Sequence, residues 1–281
     1  MEHYAGLDVS LKEISICVVD GDGKIIARGT CPADPEGVGG WFRNRDLRPR
    51  RIVHESGMLS IWLQRGLAAA RVPGGGGHEG YEGHSDAPEA FYAHAPGGLN
   101  VLYPSNPRDA KGLMAAALAS DDPCVFIEPV AQYFERQEGV PVEHYEIPIG
   151  KARLAREGAD ATIVAYGNAV GIAEQAAEAL ESEGVSVDIV DLRTLKPWDE
   201  SAVIDSVTKT GRLVVVHEAP VSGGLGAEII ATVMEQAGDR LFSPPARVAH
   251  PDMVWAPAKM EPYSMIDPAR VAAAVRTVME D

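Results

Sequence analysis

The stretch "ATIVAYGNAVGIAEQAAEALESEGVSVDIVDLR" (161–193) decides the fold class. Its opening "ATIVAYG" is a short apolar run ended by Gly167, which reads as a buried strand. From Asn168 onward Val170, Ala173, Ala177 and Leu180 recur at helical spacing. Glu174, Glu178 and Glu181 fall on the opposite side, and Gly184 supplies the stop. "VSVDIVDLR" (185–193) then returns as a strand. A strand, a helix and a second strand in immediate succession form the unit from which parallel sheets are built.

The same rhythm continues in both directions. Upstream, "DAPEAFYAHA" (86–95) reads as a short helix with Asp86 as cap and Pro88 in its first turn, and "LNVLYPS" (99–105) as a strand. "NPRDAKGLMAAALAS" (106–120) is a helix entered through Asn106 and Pro107, and "PCVFIEP" (123–129) a buried strand. Residues 130–148 form a polar connector, followed by "GKARLAREG" (150–158), a strand or edge element. Downstream, "DESAVIDSVTKT" (199–210) is a helix capped by Asp199 or Glu200, "RLVVVHEAP" (212–220) a strand and "GGLGAEIIATVMEQAG" (223–238) a helix. "ARVAHPD" (246–252) is a last strand. "DPARVAAAVRTVMED" (267–281) is a closing helix with Asp267 as cap, Pro268 in the first turn and Val271, Val275 and Val278 on one face. The expected architecture is α/β, a largely parallel sheet with helices on both faces.

Residues before about 73 follow another pattern. "YAGLDVS" (4–10) and "ISICVVD" (14–20) form a hairpin around the Asp-Gly-rich turn "DGDGK" (20–24). "KIIARGTC" (24–31) is a third strand, "PEGVGGWFRN" (35–44) a short helix weakened by its glycines, and "RIVHES" (51–56) a fourth strand. "LSIWLQRGLAAA" (59–70) reads as a helix with Leu59, Trp62, Leu63 and Leu67 on one face, and "VPGGGG" (72–77) as a breaker. Charge changes at the same place. Up to Arg71 there are 10 Lys and Arg against 9 Asp and Glu, whereas from Gly74 to Asp281 there are 15 against 32. Three domains are therefore expected, at 1–73, 74–148 and 149–281. The last should fold autonomously, and the first should leave an exposed sheet edge.

Bulk properties exclude several classes. A hydrophobic fraction of 46% is that of a globular chain. No apolar run approaches the ~20 residues of a membrane span. A net charge of −16 makes nucleic acid a poor partner for the chain as a whole. Cys17, Cys31 and Cys124 are odd in number and form no CxxC pair, which points to a reducing cytoplasm.

Three constellations could carry chemistry. "GGGGHEGYEGHSDAPEAFYAH" (74–94) sets His78, Tyr81, Glu82, His84, Ser85, Asp86 and His94 beside a glycine run. Histidine exchanges protons near neutral pH, so a site is one reading. A metal held by His78 and His84 and a linker with incidental histidines are the others. "SGGLGAE" (222–228) lies between a strand and a helix, after His217 and Glu218. It resembles a phosphate-cradling turn but completes neither GxGxxG nor GKS/T, so close helix–strand packing is the competing reading. Asp8 and Glu55, each on a strand of the first segment, could share a divalent cation or be ordinary surface acids.

Two resemblances then enter. "GHSDAPEAFYAHAPG", "VLYPSNPRDAKGLMAAAL", "DDPCVFIEP", "VDIVDLRTLKPWD", "VTKTGRLVVVHEAPVSGGLGAEI" and "IDPAR" resemble the beta subunit of the thiamine-diphosphate-dependent 2-oxo-acid dehydrogenase component, of branched-chain or pyruvate type. The resemblance implies the C-terminal part of a pyrimidine-binding domain at 74–148 and a transketolase-like domain at 149–281. It implies oxidative decarboxylation of a 2-oxo acid with acyl transfer to a lipoyl carrier. His84 matches the active-site histidine that faces thiazolium and substrate. Ala117, Ser120 and Asp122 match a monovalent-cation (K+) loop, with Ser120 and Asp122 replacing the expected Asp and Asn. The partner would be an alpha subunit, in a heterotetramer of two alpha and two beta subunits, and that subunit would bring Mg2+ and the diphosphate site; a lipoyl acyltransferase core would be the next partner. No position here matches the glutamate that bonds the aminopyrimidine, and that role is not transferred to Glu55.

Residues 1–72, through "YAGLDVSLKEISICVVDGDGKIIARG" and "ESGMLSIWLQRGL", resemble the N-terminus of insertion-sequence transposases with a DEDD, RNase-H-like βββαβα nuclease fold. Asp8 and Glu55 match its first two metal-binding acids, and the two later aspartates have no match. Together the resemblances imply a chimera, inactive on its own. A DNA-acting transposase fragment and a non-catalytic assembly domain are the alternatives.

Overall fold

A computed structural model of the chain describes residues 3–9, 13–55, 69–74, 87–95, 98–133, 137–253, 256 and 259–280. They build two sheets. The second carries the βαβ unit read above, so its construction comes first.

Strand β9 (Ala161–Ala165) lies at the centre, parallel to β10 (Val187–Asp191) on one side and β12 (Leu213–Pro220) on the other. Strand β13 (Ala246–His250) continues in parallel beyond β12, and β8 (Arg153–Arg156) closes the opposite edge antiparallel to β10. Every residue of β9 and β10 is buried, as expected for strands covered on both faces. Helices α4 (Ala169–Glu181) and α8 (Pro268–Glu280) cover one face, placing Val170, Ala173, Leu180, Val271 and Val275 against Ile163, Ile189 and Val214. Helices α5 (Glu200–Thr210) and α6 (Leu225–Ala237) cover the other with Val203, Val207, Ile229 and Val233. Asp199 caps α5, accepting from the Ala202 amide at 3.4 Å, and Asp267 accepts from the Arg270 amide at 2.8 Å.

The first sheet has eight strands in the order β11-β6-β7-β5-β4-β1-β2-β3. Strands β1 (His3–Val9), β2 (Glu13–Asp20) and β3 (Ile25–Pro32) form the expected antiparallel meander, followed by α1 (Pro35–Arg43) and β4 (Arg51–Glu55). Despite its glycines α1 forms. Asp34 caps it by accepting from the Gly37 amide at 2.6 Å, and Trp41 and Phe42 bury against Ile14, Ile16 and Val18. Next come β5 (Ala69–Gly74), α2 (Glu89–His94), β6 (Asn100–Leu102), α3 (Pro107–Ala119), β7 (Cys124–Pro129) and a short 3₁₀ turn at Val130–Gln132. Asn106 caps α3 as expected, accepting from the Asp109 amide at 2.9 Å. A one-turn helix, α7 (Glu261–Ser264), precedes α8.

Three expectations change. The stretch expected to end a helix at Ala70 and to break at Val72 is strand β5, parallel to both β4 and β7. The expected boundary at 73 and 74 thus falls inside a strand; the strands expected to be missing after β4 are replaced by β5, and the exposed edge of the first segment is β3. Helix α2 starts at Glu89 with Pro88 as its cap, while Asp86 and residues 59–68 lie outside the described residues. Finally, β11 (Thr194–Lys196), which the sequence pattern did not announce, leaves the second sheet and pairs antiparallel with β6 of the first.

The last point has an energetic counterpart. One hydrophobic cluster contains Tyr92, Val101, Tyr103, Val125 and Ile127 together with Val164, Leu195, Leu213 and Val233. The domain expected at 149–281 therefore shares its second core with residues 87–129, which weighs against its folding alone.

Candidate functional site at the domain contact

Strands β9 and β12 end at the same edge of the second sheet, the carboxyl edge, where α/β sheets gather polar residues. Tyr166 and Asn168 follow β9, and His217 and Glu218 lie near the end of β12. Glu89 from α2 and Tyr103 from the end of β6 come down on this edge from the first sheet. Glu89 is fully buried, and the Tyr166 hydroxyl donates to its Oε1 at 3.0 Å. Tyr103 packs on Tyr166 with ring centroids 5.7 Å apart, and Tyr166 stacks on His217 at 6.0 Å. The Asn168 amide reaches Glu218 Oε1 at 3.4 Å. Glu89 Oε2, the Tyr103 hydroxyl and His217 Nε2 are buried with no hydrogen-bond partner among the described residues.

Burial governs the protonation of this group. It raises the Glu89 carboxyl to about 7, against the pull of its own backbone amide and the Tyr166 hydroxyl. It lowers the His217 imidazole to about 4. Both phenols are pushed well up by burial, Tyr103 next by Glu218 and Tyr166 next by Glu89. His217 is thus neutral at pH 7. Its Nδ1 faces the Ala219 carbonyl at 3.1 Å, so the proton sits on Nδ1 and Nε2 carries the lone pair.

The glycine turn at 222–228 acquires its reason here. A Cβ on Gly226 would lie 2.6 Å from His217 Nε2, and one on Gly224 would lie 2.6 Å from both His217 Cε1 and the Pro220 carbonyl. The glycines let the first turn of α6 close over the imidazole, the packing alternative of the two read from sequence. A cleft of about 510 Å³ beside this turn is lined by His94, Lys196, Trp198, Gly224 and Glu228. Lys196 is engaged there, donating to the Ala93 and Ala95 carbonyls at 2.8 and 2.7 Å.

A second polar group pins the contact on the far side of β11. Asp109 on α3 is buried and takes both Nε and Nη2 of Arg193, at 3.1 and 2.9 Å. Arg193 has φ 59°, a left-handed backbone uncommon for a residue with a side chain, at the turn that sends β11 across to the first sheet. The bidentate pair holds that turn. Arg153 bridges Asp109, 3.4 Å from Nε, and Asp191, 3.0 Å from Nη2. Ser105 donates to Asp191 at 2.5 Å. Burial raises the Asp191 carboxyl, opposed by Ser105 and Arg153.

The residues named from sequence fare unequally. His84, His78, Tyr81, Glu82, Ser85 and Asp86 lie outside the described residues. Ala117 is buried in α3, and Ser120 ends that helix with its hydroxyl accepting from the Asp122 amide at 3.1 Å. The Asp122 carbonyl faces Cys124 Sγ at 3.5 Å. The loop is thus braced by its own bonds. The parallel register of β1 and β4 sets Asp8 opposite Glu55. Among the described residues no group of three or more His, Cys, Asp or Glu is placed to hold a metal ion. Glu89 and the Asp109, Arg153 and Arg193 set were not singled out from sequence. The available signal was Glu89 itself, an acid three positions before Tyr92 on the face that buries.

The fold defines the class. Residues 55–135 match the family described as transketolase, pyrimidine binding domain, and residues 150–271 the family described as transketolase, C-terminal domain. The fold is accordingly transketolase-like α/β. A solved split-gene transketolase, described as an inactive beta4 tetramer, superposes with a TM-score of 0.66 at 21% identity, covering 87% of this chain and 80% of that one.

Sequence relatives narrow the comparison. The chain is 43% identical over 214 residues to 2-oxoisovalerate dehydrogenase subunit beta 2, mitochondrial, of Arabidopsis thaliana, covering 76% of this chain and 59% of the relative. It is 45% identical over 206 residues to the pyruvate dehydrogenase E1 component subunit beta of Acholeplasma laidlawii, covering 73% and 63%. It is 43% identical over 213 residues to 2-oxoisovalerate dehydrogenase subunit beta of Bacillus subtilis, covering 75% and 64%. The chain thus spans about six-tenths of the length of these relatives.

Proposed function

We propose that this chain is a chimeric beta-type subunit of a 2-oxo-acid dehydrogenase decarboxylating component. The parent reaction is thiamine-diphosphate-dependent oxidative decarboxylation of a 2-oxo acid, with acyl transfer to a lipoyl carrier. The observation that carries this reading is the 43–45% identity, over about three quarters of the chain, to beta subunits of the 2-oxoisovalerate and pyruvate enzymes. Its partners in this reading are an alpha subunit, which brings Mg2+, and beyond it a lipoyl acyltransferase core. The working compartment is the cytoplasm, and a K+ at Ala117, Ser120 and Asp122 belongs to the same proposal. His84 is the residue assigned to the substrate end of the cofactor.

The described residues do not complete a site for thiamine diphosphate. The one acid among them carried to about 7 by burial, Glu89, is bonded to Tyr166 inside the domain contact and is not open to an aminopyrimidine. Turnover by this chain is accordingly proposed to be negligible. The first segment is proposed to derive from a transposase of the DEDD type, supported by the order β1-β2-β3-α1-β4 and by the register of Asp8 with Glu55.

The test is to mix the chain with an alpha subunit of a close relative, thiamine diphosphate, Mg2+ and either pyruvate or branched-chain 2-oxo acids. Complex formation and carbon dioxide release are then measured against an intact beta subunit. A stable complex with little carbon dioxide release is expected. Failure to associate would remove the beta-subunit reading. Turnover within about tenfold of the intact subunit, abolished in His84→Ala, would remove the reading as inactive, since general acid–base help is typically worth about 10²–10⁴-fold.

A further inference from the structure

We propose that Glu89 is a proton-dependent lock on the contact between the two domains, closed by the neutral acid and loosened by the carboxylate. This goes beyond the proposed activity and does not depend on it.

The geometry carries the argument. Glu89 sits on α2 of the first domain, and its side chain accepts a bond that crosses from Tyr166 of the second. It is fully buried, and among the described residues its Oε2 has no hydrogen-bond partner and no Lys, Arg or His pairs with it. A carboxylate here is an unpaired buried charge, which is strongly destabilising. A carboxylic acid is a neutral group that keeps the bond from Tyr166. The titratable side chains facing it are Tyr166, Tyr103, and His217 and Glu218 of β12; none is a cation at pH 7, His217 being held neutral. Lys196 on β11 is committed to the backbone carbonyls of Ala93 and Ala95, and α6 contributes only the acid Glu228 to the nearby cleft. Among the described residues nothing on the elements packed against α2 is set to neutralise an ionised Glu89.

Glu89 has its proton affinity raised by burial, from 4.5 to about 7. The folded state therefore holds a proton that the unfolded chain releases. The stabilisation is complete below about pH 4.5 and is lost as pH rises toward about 7. His217 works in the opposite sense, because its folded value is lowered to about 4; its contribution is complete above 6.5 and is lost as pH falls. The two slopes oppose each other over much of the same window, so the wild-type profile alone conceals the lock. The difference between wild type and Glu89→Gln isolates it.

The experiment uses the full chain as wild type, Glu89→Gln and Tyr166→Phe. Urea unfolding is measured from about pH 4.5 to 8, and amide exchange in α2 and β11 is compared with β9 after correction for the intrinsic rate. Expected is a wild-type stability that declines relative to Glu89→Gln as pH rises from about 4.5, and levels off above about 7. The pH at which the decline levels off should move higher in Tyr166→Phe, because the phenol that favours the carboxylate is gone. Exchange in α2 and β11 should rise about tenfold across that range in wild type and stay level in Glu89→Gln. Parallel profiles for wild type and Glu89→Gln would overturn the proposal. Should Glu89→Gln not fold, carboxyl carbon NMR of the wild type decides. A glutamate titrating near 7 supports the lock, and all glutamates titrating below about 5 overturn it.

Discussion

The chain contains two joints of different construction. Residues 3–55 join the rest through two strand ladders: β4 pairs with β5, and β5 pairs with β7; the side chains of Val53 to Glu55 and of β5 lie outside the described residues. Among the described residues the hydrophobic cluster of the first segment runs from Ala5 to Ile52 and includes no side chain from beyond it. The joint between residues 87–129 and 150–280 combines a shared apolar cluster, the strand β11, the Glu89–Tyr166 bond and the Arg193–Asp109 fork. A ladder supplies direction but little burial, and burial is the larger contribution to stability. The comparison teaches that, among the described residues, one continuous sheet carries separate apolar clusters.

The largest expected effect breaks the stronger joint. Asp109→Ala leaves Arg153 and Arg193 without their shared carboxylate and releases the left-handed turn at Arg193. Removing one partner from a buried pair typically costs about 3–5 kcal/mol; both arginines here are partly exposed, so the lower end is expected. Chemical unfolding of the full chain measures it. A loss below about 1 kcal/mol would show that the fork is ornamental to the joint.

Gly226→Ala probes the same joint from its other end. The added methyl meets His217 Nε2 at 2.6 Å, so the first turn of α6 must move off the imidazole. Overpacking of this kind typically costs about 1–3 kcal/mol. An unchanged midpoint in urea would mean that the turn has slack.

Amide exchange sharpens the contrast directly. Exchange in β1–β4 is expected to exceed that in β9 and β12 by about tenfold or more, corresponding to a gap of at least about 1.4 kcal/mol in opening free energy. Equal protection would mean that the strand ladder has welded the two cores into one cooperative unit. The smallest effect belongs to Asp34→Ala, which removes the cap of α1 for about 1 kcal/mol. It should speed exchange in α1 and β3 and leave β9 unchanged. A loss of protection in β9 of similar size would contradict the separation of the two regions.

How much of this was legible depends on distance along the chain. The βαβ unit at 161–193 and the caps Asn106, Asp199 and Asp267 are local: side-chain spacing and a single oxygen near the first amides suffice to set them. The meander of the first segment was legible for the same reason. The glycine turn at 222–228 was visible as a motif, but its purpose was not, since His217 is brought against it only when β12 and α6 pack. Asp8 and Glu55 are 47 positions apart and fall opposite each other in the β1–β4 register, which spacing could not announce.

What the sequence by itself determined, then, is the set of elements and the alternation that makes the second sheet parallel and doubly covered. Those follow from periodicity and capping, which act over a few residues. Only the tertiary structure decided that "TLK" (194–196) would cross to the other sheet, that "AARVPG" (69–74) would be a central strand rather than a helix end and a breaker, and that Glu89 would be sealed against Tyr166. Each of these depends on a partner more than 45 residues away, as in Thr194 with Leu102, Ala69 with Cys124 and Glu89 with Tyr166. The physical reason is that a strand is completed by its neighbour's backbone and a buried acid by its neighbour's hydroxyl, and neither is written in the local pattern.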